Sequence, residues 1–150
     1  MKGIKAAGAL ADRVAVRASC GGKVVVSDPM EQNWLENLLT HRQTLLFADP
    51  EPYLYQRAGH LPIADYRALY LAGRVDELRA AFERLAPLRK VYNRWVMDPM
   101  LSGRPPNAAL KAWAAAMGFA AGPTRAPVQP LGAQDLAALQ ADLRAAGLGA

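Results

Sequence analysis

Met1-Lys2-Gly3-Ile4-Lys5-Ala6-Ala7-Gly8-Ala9 reads as the end of a β-strand that delivers a lysine, Lys5, into a glycine-containing turn before a helix. A lysine at such a strand end can be half buried, and burial disfavours the ammonium form. A neutral amine on a rigid strand end attacks a ketone and forms a Schiff base. The competing reading is a strand-end lysine that simply points to water.

The elements that follow build on this start. Ala9-Leu10-Ala11-Asp12-Arg13-Val14-Ala15-Val16-Arg17-Ala18 is a short helical segment, and Gly21-Gly22 stops it. Lys23-Val24-Val25-Val26-Ser27 is a β-branched run of strand length without alternation, the pattern of a strand covered on both faces. Ser27-Asp28-Pro29 is a turn with capping chemistry. It leads into a second helix, Glu31 to Leu39, with Trp34, Leu35, Leu38 and Leu39 turned inward. Gln43 to Phe47 is another brief strand. Strand, helix, strand, helix, strand with short connections predicts α/β units.

Ala48 to Pro62 reads as a long loop in which Tyr53, Leu54 and Tyr55 either serve a function or pack down as a plug. Beyond Pro62 the pattern is helical. Ile63 to Ala72 is a helix stopped at Gly73. A longer one runs from about Val75 to Val96, with Val75, Leu78, Phe82, Leu85, Tyr92 and Trp95 on one stripe and Pro87 as a kink or break. Pro105-Pro106 opens a helix that runs to Met117. Gly122 to Leu131 is extended, and a last helix spans about Ala133 to Ala146.

The totals exclude several classes. The 150 residues suit one domain of ordinary size, and a charged fraction of 21% with a mean hydropathy of -0.03 fits a globular protein. No apolar run reaches the roughly 20 residues of a membrane span, and the basic-then-apolar layout of a signal peptide is missing. One cysteine, Cys20, makes neither an internal disulfide nor a metal cluster. A cytoplasmic location without membrane association is expected. The net charge of +5 raises nucleic-acid binding. Yet the arginines alternate with acids, as in Arg74-Val75-Asp76-Glu77-Leu78-Arg79, which is the look of a solvated helix face, so no nucleic-acid partner is expected.

Gly3-Ile4-Lys5, a small-residue turn and Arg13-Val14 together resemble the sixth strand and following helix of the dihydrodipicolinate synthase/N-acetylneuraminate lyase family. Further blocks resemble that family in the same order. They are Ala72-Gly73-Arg74 with Leu85-Ala86-Pro87-Leu88; Pro106, Ala109-Leu110-Lys111 and Met117-Gly118; Thr124-Arg125-Ala126-Pro127 with Pro130-Leu131; and Ala145-Ala146-Gly147-Leu148.

The resemblance implies an α/β fold: a partial (β/α)8 TIM barrel of its last three strand–helix units over residues 1–73, then a C-terminal helical extension over 74–150. It implies a class I lyase, an aldolase or dehydratase in which Lys5 forms the Schiff base with pyruvate or another 2-oxo acid, with no metal and no organic cofactor. Gly8, in the turn after the lysine, and Ser27, Asp28 and Glu31, after the second strand, become the candidate substrate-binding residues. Lys111 matches a lysine common in the family, although packing or an ion pair explains it more simply.

Two departures stand out. The family's turn after the lysine carries an acidic residue and a serine or threonine, where this chain has Ala6, Ala7 and Gly8. A complete member also has five strand–helix units before this lysine, including a carboxylate-binding hydroxyl pair and a proton-relay tyrosine. Truncation to three strands would leave open sheet edges and an exposed apolar face. The expectation is therefore weak activity alone, or none, with completion by a homo-oligomer or a complementing barrel half. The alternative is a non-catalytic remnant or subunit that works through association.

Overall fold

The computed structural model describes residues 3–6, 8–42 and 51–148. It divides the chain into two compact units, Met1–Pro52 and Tyr53–Ala150.

In the first unit, β1 (Gly3–Lys5) leads into α1 (Leu10–Ser19) and back to β2 (Val25–Ser27). The two strands pair in parallel, with Gly3 opposite Val25, Ile4 opposite Val26 and Lys5 opposite Ser27. The ladder continues one step further, because the Ala6 amide donates to the Ser27 carbonyl at 3.0 Å. Asp12, in the first turn of α1, supports the helix start by accepting from the Ala9 amide at 3.3 Å. At the other end Gly21 and Gly22 take φ of +56° and +73°, left-handed geometry that glycine adopts without strain. After β2 a 3₁₀ turn (Glu31–Asn33) runs into α2 (Trp34–Leu39). Trp34 and Leu38 are buried as expected, whereas Leu35 and Leu39 are only partly covered.

The second unit is helical. A single turn, α3 (Glu51–Leu54), lies at the junction, within the stretch expected to be loop. Then come α4 (Pro62–Leu71), α5 (Val75–Arg84) and α6 (Ala86–Tyr92), followed by a π-helical turn (Asn93–Met97) and α7 (Asp98–Leu101). Pro87 divides the expected long helix: Leu85 closes α5 and caps α6, and the proline occupies the first turn, where no amide partner is needed. Last are α8 (Asn107–Ala116) and α9 (Ala133–Ala145).

Three aromatic rings pack together within the core of this unit. Tyr55 stacks on Trp113 at 6.0 Å between centroids, and Tyr92 meets both rings edge-on at 6.3 and 6.5 Å. Trp113 Nε1 donates to the Leu54 carbonyl at 2.9 Å, so the one polar atom of the ring is satisfied. Burying a ring of this size contributes about 4–6 kcal/mol of transfer free energy as an upper bound. Leu54 and Tyr55 thus form the plug, while Tyr53 remains 46% exposed. In the expected stripe Leu78, Leu85 and Tyr92 are buried, and Phe82 and Trp95 are partly covered. Val75, in the first turn of α5, is exposed instead.

At the π-helical turn two consecutive side chains reach the same carboxylate on α9. Arg94 Nη1 lies 2.9 Å from Asp142 Oδ2, and Trp95 Nε1 donates to that oxygen at 2.7 Å. Lys111 donates to the Ala121 carbonyl, so it anchors the chain just beyond α8.

The expected partial (β/α)8 barrel is therefore corrected. The fold is mostly helical, 59%, and among the described residues there is one small sheet of two parallel strands and no set of three successive strand–helix units. The strand expected at 43–47 lies outside the described residues. Of the Lys23–Ser27 run only Val25–Ser27 is strand, and Val25 is 41% exposed while Val26 and Ser27 are buried.

Candidate functional site

The carboxyl ends of the two parallel strands bring most of the candidate residues together. In open parallel sheets, ligands bind off these ends. Lys5 is the last residue of β1, and its side chain is exposed rather than half buried. Across the sheet from it, Ser27 ends β2 and is fully enclosed.

Gly8 turns the chain from β1 into α1 with φ of +126°, a conformation in which a side chain is strained. Its carbonyl accepts a hydrogen bond from Arg13 Nη1. Arg13, on the inner face of α1, is 2% exposed, and its Nε lies 2.7 Å from Asp28 Oδ2.

Asp28 is fully enclosed and is the hub of the connection after β2. Its Oδ1 accepts from the Met30 amide at 2.9 Å, a turn in which the side chain stands in for backbone. Its Oδ2 accepts from Asn33 Nδ2 at 3.1 Å and from Asn37 Nδ2 at 3.0 Å. Its backbone carbonyl accepts from Trp34 Nε1 at 3.4 Å.

Asn37 completes a second layer. Its Nδ2 also donates to the Asn33 carbonyl at 3.0 Å, and its Oδ1 accepts from Arg17 Nη2 at 3.3 Å. Arg17 Nη2 also reaches the Val26 carbonyl at 3.4 Å. Burial lowers the Arg17 pKa from its ordinary value, and the neighbouring Asp28 carboxylate offsets part of that. Glu31 opens the 3₁₀ turn and is 1% exposed.

Two roles separate here. Lys5 is an exposed residue at a strand end that backbone pairing holds in place. Asp28 is committed to internal partners, four polar groups around one carboxylate, which is the satisfaction a buried charge requires. The arrangement can therefore hold a lysine in a fixed place at the sheet end, with Asp28 acting on the scaffold.

Arg13, Arg17, Asn33 and Asn37 were not among the candidates from sequence. The signal for the arginines was their four-residue spacing on a helix flanked by two strands, which puts both on one face. An asparagine at 37 between Trp34 and Leu38 was the corresponding clue in α2.

Among the described residues, no group of three or more His, Cys, Asp or Glu side chains could hold a metal ion. No helix among them is long and apolar enough to cross a membrane. No protein-family model and no curated protein matches the chain.

Proposed function

We propose that Lys5 is the imine-forming amine of a class I lyase acting on a 2-oxo acid of the pyruvate type, by aldol cleavage or condensation or by dehydration. The reading rests on the resemblance to the dihydrodipicolinate synthase/N-acetylneuraminate lyase family. One observation supports it most: Lys5 ends a strand of a parallel β–α–β unit, opposite Ser27 and ahead of the Gly8 turn.

The chemistry follows from an amine in that position. Neutral Lys5 attacks the ketone carbon, giving a carbinolamine. Uptake of a proton from solvent and loss of water leave a protonated imine, which accepts the electron pair released when a bond at the neighbouring carbon breaks. No cofactor is required for these steps. Activity of this chain by itself is expected to be weak, since positioning and proton transfer supply most of such a rate. The substrate is a small 2-oxo acid, the protein acts in the cytoplasm, and association with itself or with another chain is part of the reading.

Incubation with pyruvate and sodium cyanoborohydride, followed by peptide mass spectrometry, is the test. The expected result is one reduced pyruvyl adduct on Lys5, absent in Lys5→Ala. No adduct between neutral and mildly alkaline pH would overturn the proposal.

A second reading has its own observation. Leu101 is 80% exposed, Leu71 60% and Met100 52%, a level of apolar exposure that suits a non-catalytic subunit acting through association. That reading expects a concentration-dependent assembly whose size is the same in Lys5→Ala. A monomer at all concentrations would remove it.

A further inference from the structure

We infer that Arg13 and Asp28 are positioning residues for Lys5: together they close the turn that follows it into a ring and fix where its amine can go. The inference rests on the role proposed for Lys5 and extends it to residues that carry no reactive group themselves.

Lys5 pairs with Ser27 across the sheet, and the Ala6 amide donates to the Ser27 carbonyl at 3.0 Å. Asp28 follows Ser27 directly in the chain. Its carboxylate lies 2.7 Å from Arg13 Nε, and Arg13 Nη1 donates to the Gly8 carbonyl, three residues beyond Lys5. One guanidinium thus ties the turn after β1 to the turn after β2.

Burial makes the closure stiff. Arg13 is 2% exposed and Asp28 is fully enclosed, so opening the ring would leave two desolvated charges without their partner. A lysine that merely pointed to water would need no such closure. A lysine that must meet a ketone at a set angle does, since a displacement of about 1 Å in a reacting group costs about 100-fold in rate. The planar fork of an arginine also serves an ion pair with Asp28 on one side and a hydrogen bond to the Gly8 carbonyl on another, and a lysine cannot supply both.

Arg13→Lys separates the two functions of the side chain, keeping the charge beside Asp28 while dropping the arm to Gly8. The expected result is a folded protein by circular dichroism whose Ala6 amide exchanges faster with solvent. Trapping of pyruvate at Lys5 by cyanoborohydride should slow about 10- to 100-fold at saturating pyruvate. The half-saturating pyruvate concentration, the pH midpoint of trapping and the final adduct yield should stay as in the parent. A role in stability alone would lower the yield and leave the rate constant of the folded fraction unchanged. Gly8→Ala carries the same test if Arg13→Lys does not fold, because it strains the turn at φ of +126° while its new methyl meets Asp12 Oδ2 at an ordinary 3.5 Å.

Parent-like trapping rates in both variants would overturn the inference while leaving Lys5 as the amine. Failure of the parent itself to form an adduct would remove the proposed chemistry, and the positioning role with it.

Discussion

Residues 3–42 and residues 53–148 bury different kinds of side chain. The first set encloses Arg13, Ser27, Asp28, Glu31 and Asn37, together with the apolar Val26, Pro29, Trp34 and Leu38. The second encloses Tyr55, Tyr66, Leu78, Leu85, Tyr92, Trp113, Leu139 and Leu143, and the indole nitrogens of Trp95 and Trp113 find polar partners there. Area and close packing hold the helical unit, where many partners share each loss. A few charged atoms hold the β–α–β unit, and removing one strands its partner. The contrast fits a division between a region that packs and a region that must keep a few atoms in place.

The strongest test is Trp113→Ala. It removes a fully buried ring and orphans the Leu54 carbonyl, for an expected loss of about 5 kcal/mol. In urea titrations read by amide exchange, protection should fall across 75–117 and hold across 10–37. Equal loss in both stretches would erase the distinction.

Asp28→Ala makes the opposite cut. It leaves Arg13 buried without its counter-charge, for an expected loss of about 4 kcal/mol confined to 3–42. A double variant, Arg13→Met with Asp28→Leu, should recover a good part of that loss. It should not recover all of it, because the Met30, Asn33 and Asn37 donors stay unsatisfied. Strictly additive losses would mean that the pair is not coupled.

Smaller effects are expected on the helical surface. The Arg89 guanidinium lies 3.6 Å above the Phe82 ring, and Arg89→Ala should cost about 0.5–1 kcal/mol by urea denaturation. A cost comparable to that of Asp28→Ala would show that charge matters as much in this unit as in the other.

The smallest effect belongs to Arg74 and Glu77, three residues apart at the start of α5 and both exposed. Their mutual hydrogen bonds hold the Glu77 pKa below its ordinary value and the Arg74 pKa above its own. A lowered carboxylate pKa gives stability that is present above the unfolded value and lost as pH falls through the folded one. Any contribution from Glu77 should therefore fade only in acid, below the ordinary glutamate range, and Arg74→Ala should leave the Tm at neutral pH unchanged. A clear drop in Tm that vanishes in high salt would show the pair to matter.

Legibility in the sequence followed the same division. The helices of the second unit were readable because apolar residues recur at three- and four-residue steps and because Gly73, Pro87 and Gly118 mark their ends. Pro87 said that the long helix would be interrupted, and it is.

The first unit was harder. Val24-Val25-Val26 is a run too short to reveal how many strands lie beside it, so a larger sheet was inferred than the two strands described. Composition could not show which arginines leave the solvent. Arg13 and Arg74 look alike in sequence, and only the chain folding back from α1 to β2 encloses the first. Lys5, Ser27 and Asp28 were legible as neighbours of turns. Their linkage through Arg13 was not, since it spans fifteen residues from Asp28 and depends on a helix face.

The π-helical turn at Asn93–Met97 has a consequence for the history of the chain. A π-turn is an α-helix carrying one surplus residue, absorbed without a loop. Deleting one residue from this turn would restore the regular ladder and rotate everything on one side of it by about 100° relative to the other. Arg94 and Trp95 could then no longer both face Asp142. The carboxylate on α9 thus works as a ratchet pawl: with the surplus residue seated, that shared contact makes its loss costly.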